Sequence, residues 1–220
     1  MNRAAPSADI GGLLGRLVEA KIVPVIRTSA ATTAEQAVDA LADAGFDVFE
    51  ITMTIADAPA LIESLAARPG VLVGAGTVTS EQDAERCLSA GARFVVSPCV
   101  VPAVVAPCHA AGVPVLLGAL TPTEVLAARA AGADAVKIFP VSSAGGPAHV
   151  SALRSIFPGV PLVPTGGIRA EQVLEYLDAG AAFIGMGGRL VDERLILAGR
   201  SGEITALGKS LRASLGLPAG

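Results

Sequence analysis

Residues 131–140 read Ala131-Gly132-Ala133-Asp134-Ala135-Val136-Lys137-Ile138-Phe139-Pro140. A glycine at position 132 is typical of a helix C-terminus, where the backbone needs a left-handed residue, and the apolar run after it has the composition of a buried strand. A similar glycine followed by a β-rich run recurs after Ala44-Gly45, Ala90-Gly91, Ala111-Gly112 and Ala179-Gly180. The chain is therefore predicted to alternate helices and strands along most of its length.

Eight strand candidates result from this pattern, at residues 23–27, 48–52, 72–76, 94–97, 114–118, 135–139, 162–165 and 183–186. Several of them lack the polar–apolar alternation of a sheet with one wet face. Helical patterns rich in Ala, Leu and Glu lie between them, for example at residues 34–44, 80–90, 122–131 and 170–179. Eight such units in 220 residues predict an α/β fold, a parallel (β/α)8 TIM barrel. A doubly wound open sheet is the alternative, although the glycine-rich turn usual after its first strand is replaced here by Arg27-Thr28-Ser29.

The composition favours a single domain. Residues 1–220 are predicted to form one barrel, with a helical extension at residues 1–20 and a final helix at residues 201–220. Hydrophobic residues make up 52% of the chain and charged residues 16%, so part of the apolar surface, including residues 100–105 and 116–120, is expected at a subunit contact. Residues 1–12 have no uninterrupted apolar core, which predicts neither a signal peptide nor a membrane span. We therefore expect a cytoplasmic protein without a membrane partner.

Composition also disfavours several partners and cofactors. The net charge is -4 and no basic run occurs, which argues against a nucleic-acid partner. The cysteines, Cys87, Cys99 and Cys108, lack CxxC spacing and are most simply core residues. Because His109 and His149 are the only histidines, the chain cannot assemble a multi-histidine metal site. We therefore predict no metal ion and no cofactor.

Lys137 is a single ammonium group within an apolar, strand-like run. If side chains alternate along this strand, Lys137 points into the barrel while Val136 and Ile138 face the helices. Burial disfavours the protonated form of an amine, and the free amine is the form that attacks a carbonyl to give a Schiff base. The alternative is a lysine at a strand end whose head reaches water.

Polar residues gather where the predicted strands end. In barrels of this type, active sites lie at the carboxyl ends of the strands. Here these ends carry Arg27, Glu50, Thr52, Thr54, Thr77, Ser97-Pro98, Lys137, Thr165-Gly166-Gly167 and Gly187-Gly188-Arg189. We therefore predict an active site at this end of the barrel, and we expect Glu50 to share the interior with Lys137.

The segments at these strands resemble those of one enzyme family. The matching segments are Val23-Pro24-Val25-Ile26-Arg27, Phe49-Glu50-Ile51-Thr52-Met53, Gly74-Ala75-Gly76-Thr77-Val78, Ser97-Pro98, Val136-Lys137-Ile138-Phe139-Pro140 and Pro164-Thr165-Gly166-Gly167-Ile168. All of them in this order, one per strand, make a specific signature. From about residue 22 to residue 190, the chain is similar to the 2-keto-3-deoxy-6-phosphogluconate (KDPG) and 4-hydroxy-2-oxoglutarate (KHG) aldolases and their 2-keto-3-deoxy-6-phosphogalactonate (KDPGal) relatives.

The resemblance implies a class I aldolase, in which Lys137 attacks the keto carbon of a small 2-keto acid and Glu50 moves the protons. The products are pyruvate and an aldehyde, most often glyceraldehyde 3-phosphate. Such an enzyme needs no metal. The alternative role for Glu50 is a charge partner that neutralises a buried Arg27 or Lys137. The resemblance also suggests a homotrimer.

The resemblance extends to the substrate-binding residues. Thr77 and Thr165 match positions that line the pyruvyl carboxylate and the reacting centre, and Pro98 matches a proline that shapes the pocket. Arg27 is expected to contact an anion, because it closes a strand and the family often has arginine there. Alternatively, the threonine hydroxyls bond to nearby backbone groups in a turn or at a helix cap, and the proline only shapes a turn.

Glycine pairs follow the seventh and eighth predicted strands, at Gly166-Gly167 and Gly187-Gly188. In many barrels this region binds phosphate through backbone N–H groups, and glycine lets the backbone approach the anion. Tight turns are the alternative reading of bare Gly-Gly pairs. Their place at these two strand ends favours an anion site.

Two departures from the family pattern concern substrate preference. The KDPG enzymes commonly carry a substrate-contacting arginine four residues after the catalytic glutamate, where this chain has Thr54. The KDPGal relatives also lack that arginine, so the configuration of the substrate stays open. Many members read Gly-Ser-Trp after the last strand, where this chain reads Gly187-Gly188-Arg189. Arg189 either replaces the missing serine at a phosphate or is a solvated side chain, and a non-phosphorylated acid is expected if neither Arg189 nor Arg27 reaches the substrate tail.

Two other functions fit the pattern. One is a phosphate-binding barrel isomerase or epimerase, in which Lys137 acts electrostatically and not as a nucleophile. The other is a barrel that binds a keto acid or a partner without turnover, for which Thr54 and Gly188 are the arguments. Covalent trapping of pyruvate on Lys137 would separate the aldolase from the first alternative, and pyruvate release from keto-deoxy sugar acids would separate it from the second.

Overall fold

The computed structural model describes residues 9–218, which contain one eight-stranded parallel sheet. Its strands are β1 (Ile22–Ile26), β2 (Val48–Thr52), β3 (Leu72–Gly76), β4 (Val95–Val96), β5 (Val115–Ala119), β6 (Ala135–Ile138), β7 (Leu162–Pro164) and β8 (Ile184–Met186). All eight predicted strands are confirmed, and each predicted end lies within one residue of the observed end.

Most of the helices connect the strands and cover the outside of the sheet, whereas the first helix closes the amino end of the barrel and the last two follow the final strand. They are α1 (Ile10–Ala20), α2 (Ala31–Ala42), α3 (Ala58–Ala66), α4 (Glu81–Ser89), α5 (Val105–Ala110), α6 (Pro122–Ala130), α7 (Pro147–Ile156), α8 (Val173–Asp178), α9 (Glu193–Leu197) and α10 (Ser201–Ser214). Short 3-10 helices precede α5, α7 and α8. The glycines predicted to end helices all have positive φ angles, at Gly45, Gly91, Gly112, Gly132 and Gly180. The Ala-Gly pairs are therefore true helix ends.

The sheet curls into a nearly closed barrel. From β1 to β7, each strand pairs with the next strand in sequence, and β1 also pairs with β8. A parallel bridge between Thr165 and Gly185 links the last two strands. The (β/α)8 barrel prediction is therefore confirmed, and the open doubly wound sheet is wrong. Because all strands are parallel, their carboxyl ends meet at one rim.

The amino end of the barrel is filled. Leu13 and Leu17 of α1 pack in one cluster with interior residues such as Phe94 and Phe183. Leu17 and the two phenylalanines are at most 2% exposed. Truncating a leucine buried like Leu17 to alanine costs about 2–5 kcal/mol. Among the described residues, this packing closes the amino end of the barrel interior, and the cavity beside Lys137 lies toward the carboxyl rim.

Side chains of β6 alternate between the barrel interior and the helical layer. Ala135 belongs to the interior cluster, whereas Val136 and Ile138 belong to the larger cluster between strands and helices. Lys137 therefore points inward, as its position between these two residues predicts.

Some of the apolar residues that were expected at a subunit contact are buried within the subunit. Residues 116–119 lie in β5 and are buried, so they are not available to a partner, and this part of the prediction is wrong. Val104 and Val105 are also buried, whereas Val100 and Val101 are half-buried. The error arises because a parallel strand covered on both faces is apolar throughout.

The chain termini are described in part. Helix α1 begins at Ile10, within the predicted extension at residues 1–20, and α10 covers Ser201–Ser214 of the predicted final helix. Residues 1–8 and 219–220 lie outside the described residues, and so does the part of the signal-peptide prediction that concerns residues 1–8. Among residues 9–218, none of the helices combines the length and the apolar composition needed to cross a bilayer.

Candidate active site

A buried amine and a buried carboxylate meet inside the barrel. The Lys137 Nζ of β6 lies 3.5 Å from the Glu50 Oε1 of β2, and the exposed fractions of the two side chains are 4% and 5%. The Phe139 ring lies beside the amine, with its centroid 5.3 Å from Nζ. Removing one partner of such a buried pair leaves the other polar group buried without a partner, which is strongly destabilising. Lys137 and Glu50 therefore depend on each other.

The space for Glu50 is created by a glycine on the neighbouring strand. A Cβ added to Gly76 of β3 would collide with the Glu50 carboxylate. Gly74, two residues earlier, makes room in the same way for the Phe94 ring. The sequence Gly74-Ala75-Gly76 therefore clears the barrel interior at two levels, one for packing and one for the carboxylate.

Arg27 is held at the end of β1 by neutral hydroxyl groups. Its guanidinium donates to Thr77 Oγ1 at 2.8 Å and to Thr54 Oγ1 at 3.3 Å. Thr77 has a φ angle of 59°, an unusual conformation for a threonine that directs its hydroxyl at this site. Since neither hydroxyl carries charge, the positive charge of Arg27 remains available to an anion.

The opposite wall is formed by Thr165 and the loop that contains Pro98. Thr165 is 5% exposed and occupies space that Gly185 of β8 leaves free. The Ser97 hydroxyl donates to the Cys99 carbonyl at 2.6 Å and therefore fixes the backbone on both sides of Pro98. Thr165 and Pro98 are thereby held rigidly.

The mouth is lined by glycines and exposed arginines. Gly166 and Gly167 have φ angles of 96° and 75°, which strongly favour glycine. Gly188 has no atom within 4 Å of where a Cβ would stand, so its backbone is open to the mouth. Arg189, which follows it, is exposed. These features suit an anionic group better than an apolar one.

These residues surround one cavity of about 600 Å³. Its lining consists of Val25, Arg27, Thr77, Pro98, Lys137, Phe139, Thr165, Gly166, Gly167, Ile168, Gly187, Gly188, Arg189 and Arg194. All of the site residues predicted from the sequence therefore line it, except Glu50 and Thr54. Glu50 contacts Lys137 at the floor, whereas Thr54 is exposed, lines a neighbouring cavity and meets this site only through Arg27.

Arg194 lines the cavity but was not predicted. It lies on α9, and its guanidinium donates to both carboxylate oxygens of Asp192 at 2.7 and 3.0 Å. The expectation that site residues lie at strand ends does not identify a residue this far after β8. Phe139 was part of the quoted β6 segment, but its apolar side chain gave no sign of a place in the site.

The remaining titratable candidates lie elsewhere. Burial raises the pKa of the Cys87 thiol to about 11 and that of the Cys108 thiol to about 12. These thiols are therefore inert at neutral pH. Within the described part of the chain, no three His, Cys, Asp or Glu side chains are grouped as a metal site would need.

The fold and the site define a barrel enzyme with a buried lysine–glutamate pair below an arginine-lined mouth. A family model described as "KDPG and KHG aldolase" matches residues 14–207. The chain therefore belongs to the KDPG and KHG aldolase family, as its strand segments predict, and it is a carbon–carbon lyase.

Similar proteins agree in sequence and in structure. The "2-dehydro-3-deoxy-phosphogluconate aldolase" of Treponema pallidum is 35% identical over 87% of this chain and 91% of its own length. The "2-dehydro-3-deoxy-6-phosphogalactonate aldolase" of Escherichia coli is 33% identical over 84% of this chain and 90% of its own length. The crystal structure of the Legionella pneumophila KDPG aldolase covers 90% of this chain and 97% of its own, with a TM-score of 0.82 and 30% identity. That structure is described as having pyruvate captured at low pH as a covalent carbinolamine intermediate.

Proposed function

We propose that this aldolase cleaves a 2-keto-3-deoxy sugar acid, with Lys137 as the nucleophile and Glu50 as the acid–base group. The observation that carries the proposal is the Lys137–Glu50 pair, 3.5 Å apart and almost fully buried at the floor of the cavity. A nucleophilic amine and a proton-transfer group within hydrogen-bond reach are what Schiff-base catalysis needs.

The first stage forms the Schiff base. The unprotonated Lys137 Nζ adds to the keto carbon C2 of the substrate, and the proton that the nitrogen then loses passes to the former carbonyl oxygen, which gives a neutral carbinolamine. Glu50 then protonates the departing hydroxyl, which leaves as water, and the nitrogen lone pair forms the C=N bond. The product is a positively charged iminium group next to the Glu50 carboxylate.

The second stage breaks the carbon–carbon bond. Glu50, directly or through a water, takes the proton of the C4 hydroxyl, whose oxygen electrons form the aldehyde carbonyl as the C3–C4 bond breaks. The electron pair of that bond moves to C2–C3, and the iminium becomes a neutral enamine. Protonation at C3 and hydrolysis of the C=N bond then release pyruvate and regenerate the Lys137 amine.

The walls supply contacts for the charged ends of the substrate. We assign the carboxylate at C1 to Arg27 and Thr77, and the reacting centre to Thr165, which lies just after β7. The Arg27–Thr77 hydrogen bond and the shared cavity lining support these roles. The glycine backbone at the mouth, with Arg189, is suited to a phosphate on the far end. The positive charge of Arg27 and Arg189 favours a substrate with two anionic ends over a neutral sugar.

The preferred acid is of the gluconate or galactonate type. The similar enzymes named above are described with either the phosphogluconate or the phosphogalactonate substrate, at 35% and 33% identity. We therefore propose a 6-phosphorylated acid of one of these configurations. Cleavage rates on the two acids, each with and without phosphate, measure the preference directly.

Borohydride trapping tests the proposed nucleophile. Incubation with pyruvate and sodium borohydride should reduce the Schiff base to a stable amine, and mass spectrometry should find the added mass on the peptide that contains Lys137. A Lys137→Met variant should gain no mass and should not release pyruvate. An unmodified wild-type peptide would contradict the proposal and favour the isomerase or epimerase, in which Lys137 acts only through its charge.

We further propose that the enzyme is a cytoplasmic homotrimer. Its free thiols, Cys87, Cys99 and Cys108, are typical of proteins in a reducing compartment. The half-buried Val100 and Val101 support a subunit contact. Light scattering should give about three times the chain mass of 21.9 kDa, and a monomer would contradict the trimer without affecting the chemistry.

A further inference from the structure

A carboxylate outside the cavity lining joins two segments of the mouth. The Glu193 Oε1 accepts hydrogen bonds from the backbone N–H of Ser29 at 2.7 Å and from its hydroxyl at 2.6 Å. The two residues are 164 positions apart in sequence. Ser29 lies two residues after Arg27, and Glu193 is the residue before Arg194. The contact thus connects the segments that carry two of the cavity arginines.

The contact lies above the point where the barrel seam ends. Strands β1 and β8 pair from Ile22 with Ile184 to Pro24 with Met186. Beyond this last pair the two segments separate: β1 continues beside β2 to Ile26 and then leads to α2, whereas β8 ends at Met186 and leads to α9. The Ser29–Glu193 hydrogen bonds join them again at the level of the mouth. The contact therefore helps to set the distance between Arg27 on one side and Arg189 and Arg194 on the other, together with the packing of α9 against α2 and α10.

The chemistry of the contact makes it a strong link for a surface position. A carboxylate that accepts two short hydrogen bonds forms charge-assisted bonds, which are about twice as strong as neutral ones. The Ser29 hydroxyl and backbone N–H lower the pKa of the Glu193 carboxyl, so it is charged at neutral pH. The neighbouring Asp192 accepts from both the backbone N–H and the guanidinium of Arg194. The first turn of α9 is thus fixed to the rim by Glu193 and holds Arg194 through Asp192.

We propose that Glu193 is a positioning residue, which holds Arg189 and Arg194 at the distance from Arg27 that lets them bind the phosphate end of the substrate, while Arg27 itself stays fixed by Thr54 and Thr77. The inference rests on the proposed aldolase function. Glu193 does not line the cavity and takes no part in bond breaking. Its removal should therefore weaken the binding of a phosphorylated substrate and leave the chemistry at Lys137 unchanged.

The test compares Glu193→Ala with Glu124→Ala. Glu124 is a matched control, because its carboxylate also accepts short hydrogen bonds from a rim turn, at Leu120 and Thr121, but that turn holds none of the arginines that line the cavity. For Glu193→Ala, KM for the phosphorylated acid should rise by about five- to tenfold, the size expected from losing charge-assisted hydrogen bonds. The kcat value, KM for the unphosphorylated acid and the rate of pyruvate trapping should stay within about twofold of wild type. Glu124→Ala should leave all four quantities unchanged.

Two milder variants keep the test decisive if Glu193→Ala folds poorly. Glu193→Gln retains an acceptor without charge, and Ser29→Ala removes one of the two donors, so both should raise the same KM by a smaller factor. An unchanged KM for the phosphorylated acid in all three variants would overturn the proposal. So would an equal rise for the unphosphorylated acid, or the same rise in Glu124→Ala. Failure of the wild-type enzyme to trap pyruvate would instead refute the aldolase mechanism.

Discussion

The floor and the mouth of the cavity are built in different ways. Lys137 lies within β6 and Glu50 within β2, and their side chains are 4% and 5% exposed. Arg194 lies on a short helix beyond β8, and its side chain is 89% exposed. Strands packed on both faces hold their side chains rigidly, whereas the mouth depends on a few hydrogen bonds between turns. Changes at the floor should therefore alter kcat, and changes at the mouth should alter KM.

The largest effect is expected from Glu50→Gln. The amide has nearly the same shape as the carboxylate but cannot take the proton of the C4 hydroxyl. We expect kcat for cleavage to fall by about a hundredfold to ten-thousandfold, the usual contribution of a general acid–base group. Steady-state cleavage assays measure this fall.

The alternative role of Glu50 is that of a charge partner for Lys137. In that case, Glu50→Gln would chiefly change stability, and kcat of the folded enzyme would stay near the wild-type value. Thermal unfolding of the variant, measured beside kcat, distinguishes the two roles. A fall in melting temperature without a fall in kcat would contradict the proposed mechanism.

Gly76→Ala tests how tightly the floor is fixed. Its new methyl group would collide with the Glu50 carboxylate and force that carboxylate to move. A displacement of about 1 Å at a reacting group costs up to about a hundredfold in rate, so we expect kcat to fall by about ten- to a hundredfold. The variant should also lose about 1–3 kcal/mol of stability through overpacking.

Gly74→Ala is the matched control on the same strand. Its methyl group would collide with the Phe94 ring and not with Glu50. It should therefore lose a similar amount of stability while the folded fraction keeps its kcat. Equal falls of kcat in both variants, after correction for the folded fraction, would show that the floor is not specifically organised around Glu50.

Arg27→Lys tests the wall between the floor and the mouth. Lysine cannot reproduce the two hydrogen bonds that the guanidinium makes with Thr54 and Thr77. We expect KM to rise by about tenfold with a much smaller change in kcat. Arg16→Lys is the control, because Arg16 forms an exposed ion pair with Asp47 away from the cavity. A fall in kcat without a rise in KM would place Arg27 in the chemistry and not in binding.

The same division explains what the sequence could predict. The floor lies in strands, and a strand flanked by Ala-Gly pairs can be located and its inward residues identified by alternation. Lys137 and Glu50 can therefore be predicted from the sequence alone. The mouth is formed by turns and by a helix start, where no period indicates which side chains converge. Arg194 and the Ser29–Glu193 contact were missed for this reason, and Thr54 was assigned to the cavity although it reaches the site only through Arg27.

The smallest effect is expected at a part of the rim outside the cavity. The Glu124 carboxylate accepts hydrogen bonds from the backbone N–H groups of Thr121 and Leu120, which lower the pKa of Glu124 from its ordinary value of 4.5. A lowered pKa in the folded state stabilises the fold at pH values above 4.5, and this contribution is lost as the pH falls through the lowered pKa. Wild type should therefore be slightly more stable than Glu124→Gln at pH 7, and the difference should shrink below pH 4.5 in urea unfolding curves. Because Glu124, Thr121 and Leu120 do not line the cavity, KM should be the same in both proteins at pH 7. A change in KM would mean that stability and substrate binding are coupled along the whole rim, and the mouth would then not be an independent region.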